Sequence, residues 1–238
     1  MRPDWWKRIE RAPSVLRVKR RVRQWLGREV QSRVEIECRV EEHGGWWICP
    51  DLVPRGGLAY CFGLGHDIRL ERHLAERFEM DVLGFDPTPS SVAWLRSQDL
   101  PERFRHVDRG IAGYDGSAFF HAAEASRGSQ SMVREHREGH GDHVEVHRLP
   151  TLLEAHGHDR IDLLKLDVEG VEYEVIRDLI DAGLRPRIVL VEFHHRVRGI
   201  GIAATEDALA RLRAHGYGIF HISPSGREHA LVLRDAVA

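Results

Sequence analysis

Short apolar runs alternate with helical periodicity along most of the chain. Leu58-Ala59-Tyr60-Cys61-Phe62 is a continuous apolar run that ends in Gly63-Leu64-Gly65, and Leu70, Leu74 and Phe78 then share one helix face. Val82-Leu83-Gly84-Phe85-Asp86 predicts a second strand. Residues 89–98 predict a helix carrying Val92 and Leu95, and Arg105–Ile111 a third strand. Residues 115–143 are rich in Gly, Ser and His and read as loop or a short hairpin. Ile161–Asp167 is the next buried strand, followed by a helix with Val171, Val175, Ile176, Leu179 and Ile180 inward. Ile188–Phe193 predicts a strand and residues 205–215 a helix. Tyr217–Ser223 and His229–Leu233, joined by Pro224-Ser225-Gly226, predict a closing antiparallel hairpin. Strands that alternate with helices imply an α/β fold, with a mostly parallel sheet covered on both faces.

The first 56 residues follow other rules. Residues 3–29 read as helical, with Val15, Val18, Val22, Trp25 and Leu26 at three- and four-residue intervals and arginines between them. Pro13 separates a short first helix bearing Trp5, Trp6 and Ile9 from the second. Residues 33–40 alternate, Val34, Ile36, Cys38 and Val40 against Arg33, Glu35, Glu37 and Arg39, which predicts a half-buried strand. Gly44-Gly45 then offers a turn and Trp46–Cys49 a return strand. The organisation is therefore a helical arm over 1–32, a small hairpin over 33–56 and a main domain over 57–238.

Composition narrows the class. Apolar residues make up 42% and charged residues 30% of 238, as in a globular protein. No apolar run reaches the ~18 residues of a membrane span, and the N-terminus lacks an apolar secretory core. The three cysteines, Cys38, Cys49 and Cys61, form no C-x-x-C pair, so a reduced cytoplasmic setting is expected. The overall balance, 35 basic against 37 acidic residues, argues against a dedicated nucleic-acid partner. Twelve of the basic residues but only five of the acidic ones fall in residues 1–40, so a basic arm is attached to an acidic body. The arm has three readings: packing on the body or on a second subunit in a homodimer, peripheral contact of residues 1–30 with an anionic membrane surface, or a lid over the site.

The candidate chemistry sits where strands end. Gly63-Leu64-Gly65 between a strand and a helix is a nucleotide-binding turn in outline, but Ile68 stands where the dinucleotide fingerprint needs a third glycine. Asp86 closes the second strand, where a carboxylate suits the two hydroxyls of a ribose. Glycines after strand one and an acid after strand two fit a site for S-adenosylmethionine, whose adenosine carries no phosphate. The closing antiparallel strand favours this over a dehydrogenase. So does the missing Tyr-x-x-x-Lys pair, because Tyr173 is followed four residues later by Arg177.

I-D-L-L-K-L-D-V-E-G-V-E-Y-E-V-I at 161–176 is similar to the signature of the FkbM-type methyltransferases. So are A-Y-C-F-G-L-G-H-D-I at 59–68, G-F-D-P-T-P at 84–89 and V-L-V-E-F-H-H at 189–195. The resemblance runs over about residues 45–234. It implies a class I methyltransferase fold (Rossmann-like) and an S-adenosylmethionine-dependent O-methyltransferase acting on a hydroxyl of a sugar, glycan or natural product. Carried over by position, Gly63, Gly65 and Asp67 would line the cofactor turn, Asp86 would hold the ribose, and Ile111 and Ala112 would lie near the adenine. The basic arm has no counterpart in the signature.

Methyl transfer to a hydroxyl needs the acceptor placed in line and its proton removed. Asp167 and Glu169 follow one strand, and Glu192, His194 and His195 end the next. Three uses of this cluster stand open. Asp167, Glu192 and His194 could hold Mg²⁺ or Mn²⁺, His194, His195 or Glu169 could act directly as general base, or Glu169 and Glu172 could cap the next helix with the histidines on the surface. His136, His140, His143 and His147 in the polar stretch read as solvated loop histidines, a substrate loop or a weak metal-binding loop, and Ser126, Arg127, Ser129, Ser131 and Arg134 could hydrogen-bond a sugar acceptor. Other function classes are a non-catalytic binding protein that engages an anionic surface through its arm, an NAD-linked oxidoreductase, and a nucleotide-sugar transferase using Asp167-Val168-Glu169.

Overall fold

The computed structural model describes residues 12–121 and 141–237. Expectations for residues 1–11, with Trp5, Trp6 and Ile9, and for 122–140, with Ser126, Arg127, Ser129, Ser131, Arg134, His136 and His140, lie outside the described residues.

The elements are α1 (Pro13–Trp25), β1 (Glu41–His43), β2 (Trp46–Ile48), β3 (Leu58–Phe62), α2 (Arg69–Phe78), β4 (Asp81–Phe85), α3 (Pro89–Arg96), β5 (Phe104–Val107), β6 (Gly110–Ile111), β7 (Gly116–His121), β8 (Gly141–His147), α4 (Leu149–His156), β9 (Leu163–Leu166), α5 (Glu172–Asp181), β10 (Ile188–Glu192), α6 (Ile202–Ala214), β11 (Tyr217–Ile222) and β12 (Glu228–Leu233). Seven strands form one sheet in the order β11-β12-β10-β9-β3-β4-β5. Pairings from β5 through β10 are parallel, and β12 is antiparallel to both β10 and β11. This is the class I methyltransferase arrangement, and the continuous apolar runs of β3, β9 and β10 are the strands buried on both sides.

Two apolar clusters fill the two faces. On one, Val175 and Leu179 of α5, Leu152 of α4 and Leu209 and Leu212 of α6 pack on Phe62, Leu166 and Val191. On the other, Leu70, Leu74 and Phe78 of α2 join Trp46 and Ile48 of the β1–β2 hairpin against Cys61, Leu163 and Leu190. Burying a side chain of the Leu or Phe class contributes about 1.5–3 kcal/mol, so these faces dominate the stability.

Two expectations change, and two features are new. Residues 33–40 form no strand. Their alternation does turn Ile36, Cys38 and Val40 onto the apolar cluster, but the backbone makes only two bonds to a neighbour, Glu35 N–H and Ile36 N–H donating to the Ile219 carbonyl. The run 105–111 splits, because Gly110–Ile111 leaves the main sheet to pair with β8 in a second sheet ordered β6-β8-β7. Helix α4 is additional; it starts with a proline in its first turn and buries Leu149, Leu152 and Leu153. The apolar stripe of α1 faces solvent. Val18, Val22, Trp25 and Leu26 are exposed, whereas Arg20 and Gln24 on the inner side donate to the Ser32 and Val30 carbonyls.

Candidate functional site

Strand register lines up the site. Phe62 pairs with Phe85 and with Leu166, and Leu166 with Val191. The next residue on each strand, Gly63, Asp86, Asp167 and Glu192, therefore falls in one row along the carboxyl edge, where ligands of open α/β sheets sit.

A crevice opens over this row, lined by Phe62, Gly63, Leu64, Gly65, Phe85, Asp86, Thr88, Ile111, Asp167, Val168 and Glu169 among others. The Gly63 backbone is at φ +75°, and a Cβ there would lie 1.8 Å from the Asp167 carbonyl oxygen, so no other residue fits. Gly65, at φ +53°, faces open space. Asp86 pins the turn, as one carboxylate oxygen accepts from Leu64 N–H at 3.1 Å and Gly65 N–H at 2.8 Å. The other accepts from Thr88 N–H at 3.0 Å and the Thr88 hydroxyl at 2.7 Å. All four acceptor positions of this buried carboxylate are thus engaged. The Thr88 hydroxyl is the donor that a ribose hydroxyl could replace.

Lys165 supports the turn from below. Its ammonium, 2% exposed, donates to the Gly63 carbonyl at 2.9 Å and to Glu71 at 3.0 Å. Burial alone would lower this ammonium, but the charges of Glu71 and Asp167 outweigh it and hold it up at about 12. Neither Lys165 nor Glu71 was singled out in the sequence. The available signal was a lysine inside the apolar run of β9, since a buried charge requires a partner.

The second half of the row gathers carboxylates. Asp167, Glu192 and His194 offer ligand atoms within 4.8 Å of one another. Burial, then the charge of Asp167, pushes Glu192 up to about 8, with Arg227 opposing at 2.6 Å. Burial raises Asp167 as well. The His194 Nε2 lies 3.2 Å from Glu169, and its Nδ1 3.3 Å from the fully buried Glu172. Burial would lower His194, but hydrogen bonds with those two acids outweigh it and raise the ring to about 10. Both ring nitrogens are thus engaged by acids, so base duty or metal binding requires one of these contacts to break. Glu172 also accepts from the backbone N–H of His194 and of Gly170, each at 2.8 Å, and Glu169 sits in the left-handed region at φ +50°. This hydrogen-bonded loop is a stored constraint beside the crevice.

Three named residues lie elsewhere. Asp67 is outside the crevice lining; its carboxylate takes the Arg69 guanidinium at 2.6 Å. Ala112 is buried behind Ile111 in the small cluster of the second sheet, its N–H bonded to the His147 carbonyl. His195 points away from His194 and donates to Glu29 at 2.7 Å, in a buried group that Arg196 completes. Successive residues after a strand face opposite ways, which separates the two histidines.

Residues 41–219 match the family described as the methyltransferase FkbM domain. A probable methyltransferase-like protein 24 of Rattus norvegicus is 28% identical over 179 residues, 70% of this chain and 43% of that protein. Among solved structures, methyltransferase FkbM from Methylobacillus flagellatus aligns at 13% identity with a TM-score of 0.49, covering 74% of this chain and 43% of that one. Fibrillarin from Aeropyrum pernix with bound S-adenosyl-L-methionine aligns at 14% identity with a TM-score of 0.44, covering 85% and 84%. The chain thus spans under half the length of the rat protein and of the Methylobacillus chain. With three-quarters of its residues inside the matched region, the chain belongs to the FkbM methyltransferase domain family.

Proposed function

We propose that this protein is an S-adenosylmethionine-dependent O-methyltransferase acting on a hydroxyl of a sugar, glycan or natural-product acceptor. The observation that carries the reading is the single row Gly63, Asp86, Asp167 and Glu192, with a crevice at one end and a carboxylate pair at the other. The turn fits the cofactor. It presents bare backbone at Gly63 and Gly65, apolar walls at Phe85 and Ile111, and a carboxylate at Asp86. When bound, adenosylmethionine supplies an electrophilic methyl carbon on a sulfonium.

The chain's own residues do the rest. Gly63 and Gly65 let a ligand lie on the backbone, and Asp86 orients the ribose. Lys165 keeps the Gly63 carbonyl fixed. The Asp167–Glu192 pair would take the proton of an acceptor hydroxyl as that oxygen is methylated, the bound sulfonium serving as the methyl donor and leaving as a neutral thioether. A carboxylate whose affinity for protons is raised toward the working pH is a better base than an ordinary one. His194 holds a positive charge 4.0 Å from Glu192 and positions it.

The 4.8 Å spread of Asp167, Glu192 and His194 favours a second reading, Mg²⁺ or Mn²⁺ held by the two carboxylates. It requires His194 to leave Glu169 and lose a proton, or water to replace it. Transfer of a labelled methyl to a panel of free sugars, glycans and small phenols, with and without chelator, tests both. An oxygen-methylated product formed in chelator supports the first reading; loss of turnover restored by Mg²⁺ supports the second. A nitrogen- or carbon-methylated product, or no binding of adenosylhomocysteine, overturns the proposal.

A further inference from the structure

Helix α1 is turned inside out relative to an ordinary surface helix. Its inner side carries half-buried Val15 and Leu16 but is held by polar contacts, Arg20 donating to the Ser32 carbonyl and hydroxyl and Gln24 to the Val30 carbonyl. Its outer side carries Val18 at 61% exposure, Val22 at 51% and Trp25 at 85%, continued by Leu26, with Arg17 and Arg21 alongside. Positions 18, 22 and 25 are spaced to form one stripe. None of the helix's residues is fully buried. Packing among the described residues therefore does not account for the apolar stripe, which is presented outward.

Charge selects the occupant. The sequence of α1, PSVLRVKRRVRQW, holds five basic residues and no acidic one. An apolar stripe ending in a tryptophan and flanked by guanidinium groups matches the boundary between lipid headgroups and acyl chains, where apolar burial and attraction to anionic lipid add. A nucleic acid would use the arginines and leave the valines in water. At 13 residues the helix spans about 20 Å, enough to lie on a bilayer. No helix among the described residues is long and apolar enough to cross one.

The docking of the helix is firm, and its place is informative. Just after α1, Glu29 is buried between His195 and Arg196, and the Ser32 hydroxyl meets His229 at 2.9 Å. A Cβ on Gly226 would lie 2.8 Å from Arg20 Cδ. These contacts fall on 194–196 and on the turn between β11 and β12, which is the carboxyl edge of the sheet, beside Glu192 and His194. We propose that α1 is a peripheral anchor that lays Val18, Val22 and Trp25 on an anionic lipid surface at the rim of the site. Binding of this kind is read without cofactor or acceptor, so it stands or falls separately from the methyl-transfer reading.

The test is co-sedimentation of the full chain with vesicles of phosphatidylcholine alone or with about one-third phosphatidylglycerol, at low and high salt. The anchor predicts at least about tenfold stronger partitioning onto the anionic vesicles, weakened by salt. Val22→Glu/Trp25→Glu and Arg17→Glu/Arg21→Glu should each lower it about tenfold or more without changing the thermal midpoint, because these side chains are exposed. Four results overturn the proposal. They are no vesicle binding, binding indifferent to both variants, binding seen only after residues 1–11 are removed, and a concentration-dependent dimer or a tight RNA complex, lost in Trp25→Glu, in place of lipid binding.

Discussion

The Lys165 ammonium lies 2.9 Å from the Gly63 carbonyl oxygen, 102 residues away in sequence, and 3.0 Å from Glu71. One buried cation thus ties the floor of the crevice to helix α2. Lys165→Met leaves the Glu71 carboxylate buried without its partner, which costs roughly 3–5 kcal/mol and lowers the urea midpoint. Adding Glu71→Leu should restore much of the stability but not the affinity for adenosylhomocysteine, since the Gly63 carbonyl stays untethered. A double variant with full affinity would show that Lys165 has no part in shaping the turn.

Asp86 splints the same turn through Leu64 and Gly65. Asp86→Ala should weaken adenosylhomocysteine at least about tenfold, in line with the roughly 1.5–3 kcal/mol of a hydrogen bond to a charged group. Thr88→Ala removes only the hydroxyl donor, while the backbone N–H of residue 88 still holds that oxygen, and should change affinity far less. Calorimetric titration of both variants checks the pair.

Gly63 and Gly65 should respond differently to alanine. At Gly63 the new methyl falls on the Asp167 backbone, so Gly63→Ala should not fold to a cofactor-binding state. At Gly65 the space is open, and the left-handed backbone costs about 1–2 kcal/mol. Denaturant unfolding separates the two outcomes.

Glu192→Gln should lower turnover by about 10²–10⁴, the range of a lost general base. In the parent the rate should climb as pH rises through about 8, where the Glu192 carboxyl loses its proton, and the variant should lose that rise. A pH–rate profile of both proteins is the measurement.

Acid should loosen the seat of α1. His195 and Arg196 hold Glu29 down at about 2, although burial opposes them, so its folded value lies below its unfolded value. Its stabilisation is present above ~4.5 and is lost as pH falls toward 2. Burial lowers His229 to about 4, so between about 6.5 and 4 the unfolded chain binds the extra proton and stability falls with pH there too. Glu29→Gln should flatten the lower of these two slopes in acid-unfolding curves.

Much of this was legible in the sequence because burial on both faces writes itself as unbroken apolar runs, and each run's last residue marks the edge of the sheet. Gly63, Asp86, Asp167 and Glu192 were found that way. The adjacency of Asp167 and Glu192 followed only once β9 and β10 proved to be neighbours. Long-range partners were not legible. Nothing near His195 announces Glu29, and nothing near Lys165 announces Gly63. Asp67 takes the local Arg69, two residues on, and lies outside the crevice lining, which the motif alone does not announce. The periodicity of α1 told which positions share a face, but not that the face looks outward.

The placement of β12 carries one last consequence. It follows β11 in the chain yet lies inside it, so β11 is held to the sheet through β12 rather than by β10. Until β12 slots in, the flank of β10 is an unpaired ladder open to foreign strands, and Arg227 is not beside Glu192. A newly made chain should therefore be most prone to clumping in that interval, and the proton-accepting corner should mature last.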